Sequence, residues 1–195
     1  TLPPGDPHHF HRTRRNAFTK SDCIIIVGTP FDFRMGYGKR LNPNANVIQI
    51  DMDYRTVGKN RDITIGLVGH IGRTLSAIAD AGTKTNRDDW FKELRSGEES
   101  ALEKLMPTFT TDKSPISPYR VAWELNQFLN EDTIYIGDGG DVVTISAQAV
   151  QPKRPGGWMD PGPLGTLGVG VPYAIAAKQS SPESEVLLYC GDGAF

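Results

Sequence analysis

Five apolar runs without regular polar alternation constrain the fold of this chain more than any other feature. They are "DCIIIVGTP" (22–30), "NVIQIDMD" (46–53), "DITIGLVG" (62–69), "TIYIGDGGD" (133–141) and "SEVLLYCGDGAF" (184–195). Continuous aliphatic and β-branched runs closed by glycine or aspartate are typical of strands covered on both faces in a parallel sheet. Helical patterns alternate with these runs, so we predict an α/β fold.

The segments between the runs carry helix signals. Apolar residues recur at helical spacing in "HIGRTLSAIADA" (70–81) and in "PYRVAWELNQFL" (118–129). We also predict a helix in "VVTISAQAV" (142–150), because it follows two glycines, and a glycine-rich loop that enters a helix over 162–180. Residues 1–21 contain no predicted strand.

A charge-rich segment, 83–117, divides the chain. It contains no apolar run, and we predict one solvated helix in it, from Asp88 to Leu105, with linker on either side. Residues 1–82 and 118–195 are then predicted to be parts of two doubly wound parallel-sheet domains.

Composition excludes some classes of protein. The net charge of −2 gives no electrostatic footprint for nucleic acid. The apolar runs are far shorter than the roughly 20 residues of a membrane-spanning helix, so we expect no membrane segment in this chain. The first residues are polar and basic and lack the apolar core of a secretory signal.

Three glycine clusters lie in the last third of the chain, at 137–140, 162–170 and 191–193. Two of them follow predicted strands, where ligands bind in open α/β sheets. Glycines let backbone N–H groups approach a phosphate closely. Asp192 lies between two glycines, and a carboxylate beside phosphates is suited to Mg²⁺. The alternative is that the clusters are tight turns only.

These residues carry a resemblance to a known family. "GPLGTLGVGVPYAIAAK" followed by "EVLLYCGDGAF" resembles the pyrophosphate-binding domain of thiamine diphosphate enzymes of the acetolactate synthase type. "VGTPFDFRMGYG" and "VIQIDMDYRTVGKN" resemble the middle domain of that family. "DGGDVV" and "WMDPGPLGTLGVG" resemble most the branch that includes 2-hydroxyacyl-CoA lyases.

The resemblance implies an internal fragment of a longer enzyme. Residues 1–82 correspond to the C-terminal part of a middle, nucleotide-binding-like domain, and 83–117 to a linker with a helix. Residues 118–195 correspond to the N-terminal half of the pyrophosphate domain, truncated after the Gly-Asp-Gly motif. The family's catalytic glutamate lies in an N-terminal domain, so we assign no catalytic residue here and expect the chain alone to be inactive.

The resemblance also implies roles for single residues. Asp192 corresponds to the metal-ligand aspartate. Gly165 corresponds to the residue whose carbonyl meets the coenzyme's amino group, and Leu167 to the apolar wedge that bends the coenzyme. For Leu167 the alternative is plain core packing. The remaining residues of the predicted cofactor site meet the diphosphate through their backbone: Gly139, Gly140, Gly191, Gly193 and Ala194.

A nucleotide site is implied in the middle-domain part. Phe31, Asp32 and Arg34 match a Phe-Asp-x-Arg loop, and Asp51 matches a strand end. The loop departs from the FAD type after Arg34, so FAD, ADP or coenzyme A, and no nucleotide all stay open. The alternative for Asp32 and Arg34 is a surface ion pair beside a turn.

The implied activity is the making or breaking of a C–C bond next to a carbonyl, as in acetolactate synthase-like carboligases or 2-hydroxyacyl-CoA lyases. The implied cofactors are thiamine diphosphate and Mg²⁺, and the substrate is a 2-oxo acid or a 2-hydroxyacyl-CoA. A homodimer or homotetramer is expected, and a cytoplasmic location if the source is bacterial. The competing hypothesis is a non-catalytic adenine-nucleotide-binding module that serves assembly of a larger synthase.

Overall fold

The computed structural model describes residues 2–3 and 5–195. It forms two compact units. The first unit is Phe10–Glu98, and the second is Glu99–Phe195 together with the residues up to His9. Each is described separately below.

The first unit is built on a three-stranded parallel sheet in the order β1-β2-β3. A short helix, α1 (Arg14–Lys20), precedes β1 (Cys23–Val27). β2 (Asn46–Asp51) and β3 (Ile65–Val68) follow, and α2 (Ile71–Ala81) closes the unit's βα pattern. The three predicted strands and the helix predicted over 70–81 are confirmed.

Coverage of both faces was the wrong prediction for β1. In β1, Ile24 and Ile26 are buried, whereas Ile25 is 43% exposed. Successive side chains point to opposite faces, and the apolar core of Phe31, Leu41 and their neighbours packs on one of them only. The other face is open at Ile25, although Ile50, on the same face of β2, is fully buried.

A long helix, α3 (Asp88–Phe109), replaces the solvated helix predicted over 88–105. It runs further than predicted and it is not solvated all round, because Leu94, Glu98 and Phe109 are buried. The two compact units divide inside it, between Glu98 and the next residue. The domain limits predicted at residues 82 and 117 stay predictions.

The second unit contains a parallel sheet in the order β5-β4-β6. Its elements are α4 (Pro118–Gln127), β4 (Ile134–Asp138), α5 (Gly140–Ala149), β5 (Trp158–Met159), α6 (Gly170–Ser180) and β6 (Val186–Cys190). The helix in 142–150 is confirmed, although four consecutive residues of α5, from 142 to 145, are β-branched. The two-residue β5 was not predicted.

The central strand β4 is the best-covered element of the second unit, since all five of its residues are buried. Helix α5 and its neighbours pack on one side of the sheet around Tyr135, and α6 packs on the other around Ile136. Two small parallel sheets with flanking helices confirm the α/β fold class. Within the residues the structure describes, no helix has both the length and the apolar character needed to cross a membrane.

Candidate functional site

The carboxyl ends of β4 and β6 lie side by side. Asp138, the last residue of β4, pairs in parallel register with Cys190, the last residue of β6. The N–H of Gly191 donates a 2.9 Å hydrogen bond to the backbone oxygen of Asp138. The glycine clusters at 137–140 and 191–193 therefore share the sheet edge at which open α/β folds bind ligands.

Gly139 lies at the closest approach between these two clusters. Its φ of 125° is a conformation that favours glycine, and a Cβ there would stand 3.3 Å from the backbone nitrogen of Gly191. Gly140 begins α5, and a Cβ on it would meet nothing within 4 Å. The N-terminus of α5 is thus open, and its N–H groups and dipole favour an anion. Asp141, exposed in the first turn, was not singled out by the glycine pattern.

A buried hydrogen bond fixes α5 to the strand that precedes it. The Tyr135 hydroxyl donates to Ser146 Oγ at 2.6 Å, and both residues are fully buried. Burial raises the pKa of Tyr135 to about 12, so its hydroxyl keeps its proton at neutral pH. This bond ties the second half of α5 to β4.

Asp138 is a buried carboxylate that the sequence reasoning missed. It is 0% exposed. Its Oδ2 accepts hydrogen bonds from the N–H of Gly168 at 3.0 Å and from that of Gly170 at 2.7 Å. Its Oδ1 is buried without a hydrogen-bond partner. The signal was present, because residues 137–139 repeat the Gly-Asp-Gly pattern of 191–193.

The glycine-rich loop that leads into α6 is held at both ends. At its start, Asp160 Oδ1 accepts from the N–H of Gly162 at 2.6 Å, and Asp160 Oδ2 accepts from Trp158 Nε1 at 2.8 Å. At its end, the N–H groups of Gly168 and Gly170 donate to Asp138 Oδ2. Gly165 lies between them with a φ of 63°, and Leu167 is 52% exposed. The core-packing alternative for Leu167 is therefore wrong in the described chain.

The Asp192 carboxylate is presented by a short 3-10 turn, Asp192–Ala194, after β6. The turn is closed by a 3.0 Å bond from the N–H of Ala194 to the oxygen of Gly191. Asp192 and Gly193 are exposed, and a Cβ on Gly193 would meet nothing within 4 Å. Ala194 is buried, so its methyl group anchors the turn while the carboxylate faces outward.

The three clusters converge. Gly139 approaches Gly191, and Gly168 approaches the backbone oxygen of Ala194, which a Cβ on Gly168 would meet at 3.9 Å. The N–H of Gly168 also donates to Asp138, which belongs to the first cluster. The structure thus brings three predicted parts of the site to one edge of one sheet. They are the diphosphate-binding glycines, Asp192, and the loop between Asp160 and α6 that carries Leu167, called the wedge loop below.

The side chains at this edge can hold a metal ion only if a bound ligand supplies the remaining coordinating atoms. Among the described residues, no group of three or more His, Cys, Asp or Glu side chains is placed to hold a metal ion. Mg²⁺ is commonly bound through one or two carboxylates plus phosphate oxygens. An exposed Asp192 beside open backbone N–H groups suits that arrangement of Mg²⁺ with a diphosphate.

The predicted nucleotide loop of the first unit contains the expected ion pair. Asp32 Oδ1 accepts from the N–H of Arg34 at 2.9 Å, and Arg34 Nη2 donates to Asp32 Oδ2 at 2.7 Å. The side-chain bond from Arg34 outweighs desolvation and lowers the pKa of Asp32. Phe31 is buried beside this turn. The predicted ion pair between Asp32 and Arg34 is thus present, and its presence is compatible with nucleotide binding.

Asp51 lies at the carboxyl edge of the first sheet. Its backbone oxygen accepts from the N–H of Gly69 at 3.0 Å, and the N–H of Gly28 donates to the preceding residue of β2 at 2.9 Å. Asp51 Oδ1 accepts from the N–H of Asp53 at 2.9 Å. Gln49, buried in β2, was missed; it accepts from the N–H of Gly58 and so ties the following loop to the strand.

Two family models match the chain. The thiamine pyrophosphate enzyme central domain matches residues 5–78, and the C-terminal TPP binding domain matches residues 138–195. Together they cover about two thirds of the chain.

Curated relatives match over almost the whole chain. The acetolactate synthase large subunit IlvG of Mycobacterium tuberculosis is 36% identical over 186 residues, which is 95% of this chain and 34% of that protein. The 2-hydroxyacyl-CoA lyase 2 of Danio rerio is 34% identical over 200 residues, covering 98% of this chain and 32% of that protein. The human 2-hydroxyacyl-CoA lyase 2 is 34% identical over 199 residues, which is 97% of this chain and 31% of that protein.

The chain thus spans about a third of the length of the curated relatives it matches. The central-domain match falls on the sheet that carries the Asp32 loop. The C-terminal match begins at Asp138 and ends beyond Asp192, so it contains the whole glycine-lined edge. On these matches, which agree with the geometry of both units, the chain belongs to the thiamine pyrophosphate enzyme family.

Proposed function

We propose that this chain holds the diphosphate and the metal in a thiamine diphosphate- and Mg²⁺-dependent enzyme. The observation that carries the proposal is the convergence of three glycine clusters at the turn that presents the exposed Asp192. Tight turns alone require neither an exposed carboxylate between two glycines nor an open helix N-terminus beside it.

The diphosphate end of the site is proposed to be made mainly by backbone groups. Gly139 and Gly140 offer the N-terminus of α5, and Gly191, Gly193 and Ala194 offer the turn after β6. Asp192 is proposed to bind Mg²⁺ through a carboxylate oxygen while phosphate oxygens complete the shell. The small residues keep side chains out of this space.

The ring end of the site is proposed to lie against the loop between Asp160 and α6. Gly165 would accept a hydrogen bond from the coenzyme's amino group through its carbonyl, and the half-exposed Leu167 would support the bend between the two rings. An exposed leucine loses contact with water when it packs against a ring, and this burial stabilises binding.

When bound, thiamine diphosphate supplies a nucleophilic carbon and an electron sink for making or breaking a C–C bond next to a carbonyl. The chain's own residues bind and orient; we assign none of them an acid or base role. The catalytic glutamate, the substrate-binding residues and the second subunit of a homodimer or homotetramer are proposed to belong to the longer enzyme. The relatives' names favour a 2-oxo acid or a 2-hydroxyacyl-CoA as substrate.

The first unit is proposed to bind the ADP part of a nucleotide or of coenzyme A. Arg34, already oriented by Asp32, supplies positive charge at the loop, and Asp51 supplies a carboxylate at the adjacent strand end, where ribose hydroxyls bind in similar folds. FAD is the less favoured ligand, because the loop differs from the FAD type after Arg34.

Calorimetry on the full-length enzyme tests the proposal. Thiamine diphosphate is titrated with and without MgCl₂, and ADP is titrated separately. Magnesium-dependent binding of thiamine diphosphate is expected. Binding of ADP with no binding of thiamine diphosphate under either condition would favour the non-catalytic nucleotide module instead.

A further inference from the structure

Asp138 stands out because it is a fully buried carboxylate beside the proposed coenzyme site that has no assigned role. It touches all three glycine clusters. It belongs to the first, its Oδ2 accepts from two N–H groups of the second, and its backbone oxygen accepts from the N–H of Gly191 in the third.

These bonds differ in kind. The bond from Gly191 ends on a backbone oxygen, so any side chain at position 138 retains it. The bonds from Gly168 and Gly170 end on the carboxylate, so they depend on the side chain alone. Among the hydrogen bonds of the described residues, those that join the end of the wedge loop to β4 are made by the Asp138 side chain, whereas the turn that presents Asp192 is joined to β4 through the backbone.

The fit around this carboxylate is close. A Cβ on Gly170 would lie 2.8 Å from Asp138 Cβ, so the start of α6 presses directly on the side chain. Oδ2 takes both loop bonds, while Oδ1 is buried without a hydrogen-bond partner. Helix N-termini are usually capped by the residue that directly precedes them, and a smaller cap would avoid burying an unpaired oxygen.

A cap supplied from a neighbouring strand does what a local cap cannot: it fixes the loop relative to the sheet edge. We propose that Asp138 is a positioning residue that holds Gly165 and Leu167 at the ring end of the thiamine diphosphate site. This inference rests on the proposed function. It assigns Asp138 no contact with the coenzyme and no proton transfer.

If Asp138 positions the ring end of the site, its loss should weaken binding of the whole coenzyme but not binding of its diphosphate part. In full-length enzyme, Asp138→Ala is expected to raise the Kd of thiamine diphosphate at saturating MgCl₂ by tenfold or more. The Kd of inorganic pyrophosphate with MgCl₂ is expected to stay within about threefold, because the bond from Gly191 survives. A merely structural role would weaken both ligands equally.

Three further measurements keep the test sharp. Asp138→Asn leaves an oxygen that accepts both loop bonds, so its Kd for thiamine diphosphate should lie between those of wild type and Asp138→Ala. Asp132→Asn, an exposed aspartate before the other end of β4, is the matched control and should bind as wild type. In coenzyme-free protein, amide exchange at Gly168 and Gly170 should accelerate at least tenfold in Asp138→Ala.

The outcomes are distinguishable. Equal loss of thiamine diphosphate and pyrophosphate binding, or wild-type exchange at Gly168 and Gly170, would overturn the positioning role and leave the proposed function standing. Failure of the wild-type enzyme to bind thiamine diphosphate would overturn the proposed function, and the role of Asp138 toward the coenzyme with it.

Discussion

Asp138 and Asp192 occupy the same Gly-Asp-Gly pattern at the ends of adjacent parallel strands, yet one is fully buried and the other is exposed. The difference begins with where each strand ends. Residues 137 and 138 still pair with β6, whereas β6 itself ends at Cys190, so Asp192 lies in a turn beyond the ladder. A carboxylate inside the ladder meets backbone N–H groups of its own fold; a carboxylate beyond it faces outward.

The same Gly-Asp-Gly tripeptide therefore has two different roles in this sheet. Asp138 satisfies two N–H groups at the start of α6. Asp192 has an exposed carboxylate, which suits a cation that also binds phosphate. If this division is right, substitutions at the two positions affect different measurements.

The largest expected effect is on metal-dependent binding at Asp192. Asp192→Asn in the full-length enzyme should raise the Kd of thiamine diphosphate with MgCl₂ by about 100-fold or more, since even residues that only support a metal ligand cost 10–100-fold. Calorimetry measures the change, with Asp132→Asn as the control. Affinity like that of wild type would show that Asp192 is not the metal ligand.

The next effect is on stability at Asp138. Asp138→Ala leaves two buried N–H donors without an acceptor and should lower the free energy of unfolding by about 2 kcal/mol or more. Asp192→Ala removes only an exposed side chain and should stay within about 0.5 kcal/mol of wild type. Urea unfolding in the absence of coenzyme compares the two. Equal destabilisation would break the contrast between the buried and the exposed aspartate.

The glycines that follow the two aspartates, Gly139 and Gly193, should also differ in how well they tolerate a side chain. Gly139→Ala places a Cβ 3.3 Å from the Gly191 nitrogen at a φ of 125°, and strain of about 1–3 kcal/mol is expected. Gly193→Ala meets nothing within 4 Å and is expected to change stability little. Thermal unfolding of both variants provides the measurement. A stable Gly139→Ala protein would mean that the two strand ends have room to move apart.

Glu98 extends the comparison to a buried carboxylate of the first unit. It accepts from the N–H groups of Arg12 and Thr13 and from the Thr13 hydroxyl. Burial raises its pKa, but these hydrogen bonds outweigh burial and lower the pKa below the ordinary value of 4.5. The carboxylate therefore stabilises the fold above about pH 4.5, and this contribution is lost as the pH falls through the lowered pKa.

Glu98→Gln should cost about 1 kcal/mol near neutral pH, the smallest of the four effects. The gap between wild type and variant should shrink as the pH is lowered below 4.5. Urea unfolding from pH 7 to pH 3 follows it. A gap that stays constant over this range would mean that the ionised carboxylate contributes nothing.

Much of the fold was accessible from sequence because local patterns determined it. The apolar runs at 22–30 and 133–141 predicted β1 and β4, and the glycines at 139 and 140 correctly indicated a helix over the β-branched residues that follow. Burial was less accessible. The run of β1 resembles that of β4, but one face of β1 is open, because coverage depends on elements distant in sequence.

The candidate site divides in the same way. The glycine clusters and Asp192 could be predicted as site residues because glycines, which would let the backbone approach a phosphate, are visible in the composition. Asp138 was missed although it lies in a second Gly-Asp-Gly tripeptide, because nothing local shows that its carboxylate is a buried cap: its partners, Gly168 and Gly170, lie about 30 residues further along the chain.

Local sequence patterns were enough to predict the α/β alternation, the ends of the main strands and the glycine positions at which a phosphate is proposed to bind. Hydrophobic periodicity and glycine content are local properties, so they can be recognised in the sequence alone. Which of the two aspartates is buried and which faces outward could not be derived from the sequence. That choice depends on where parallel strands end relative to one another and on which N–H groups a distant loop brings within hydrogen-bond reach.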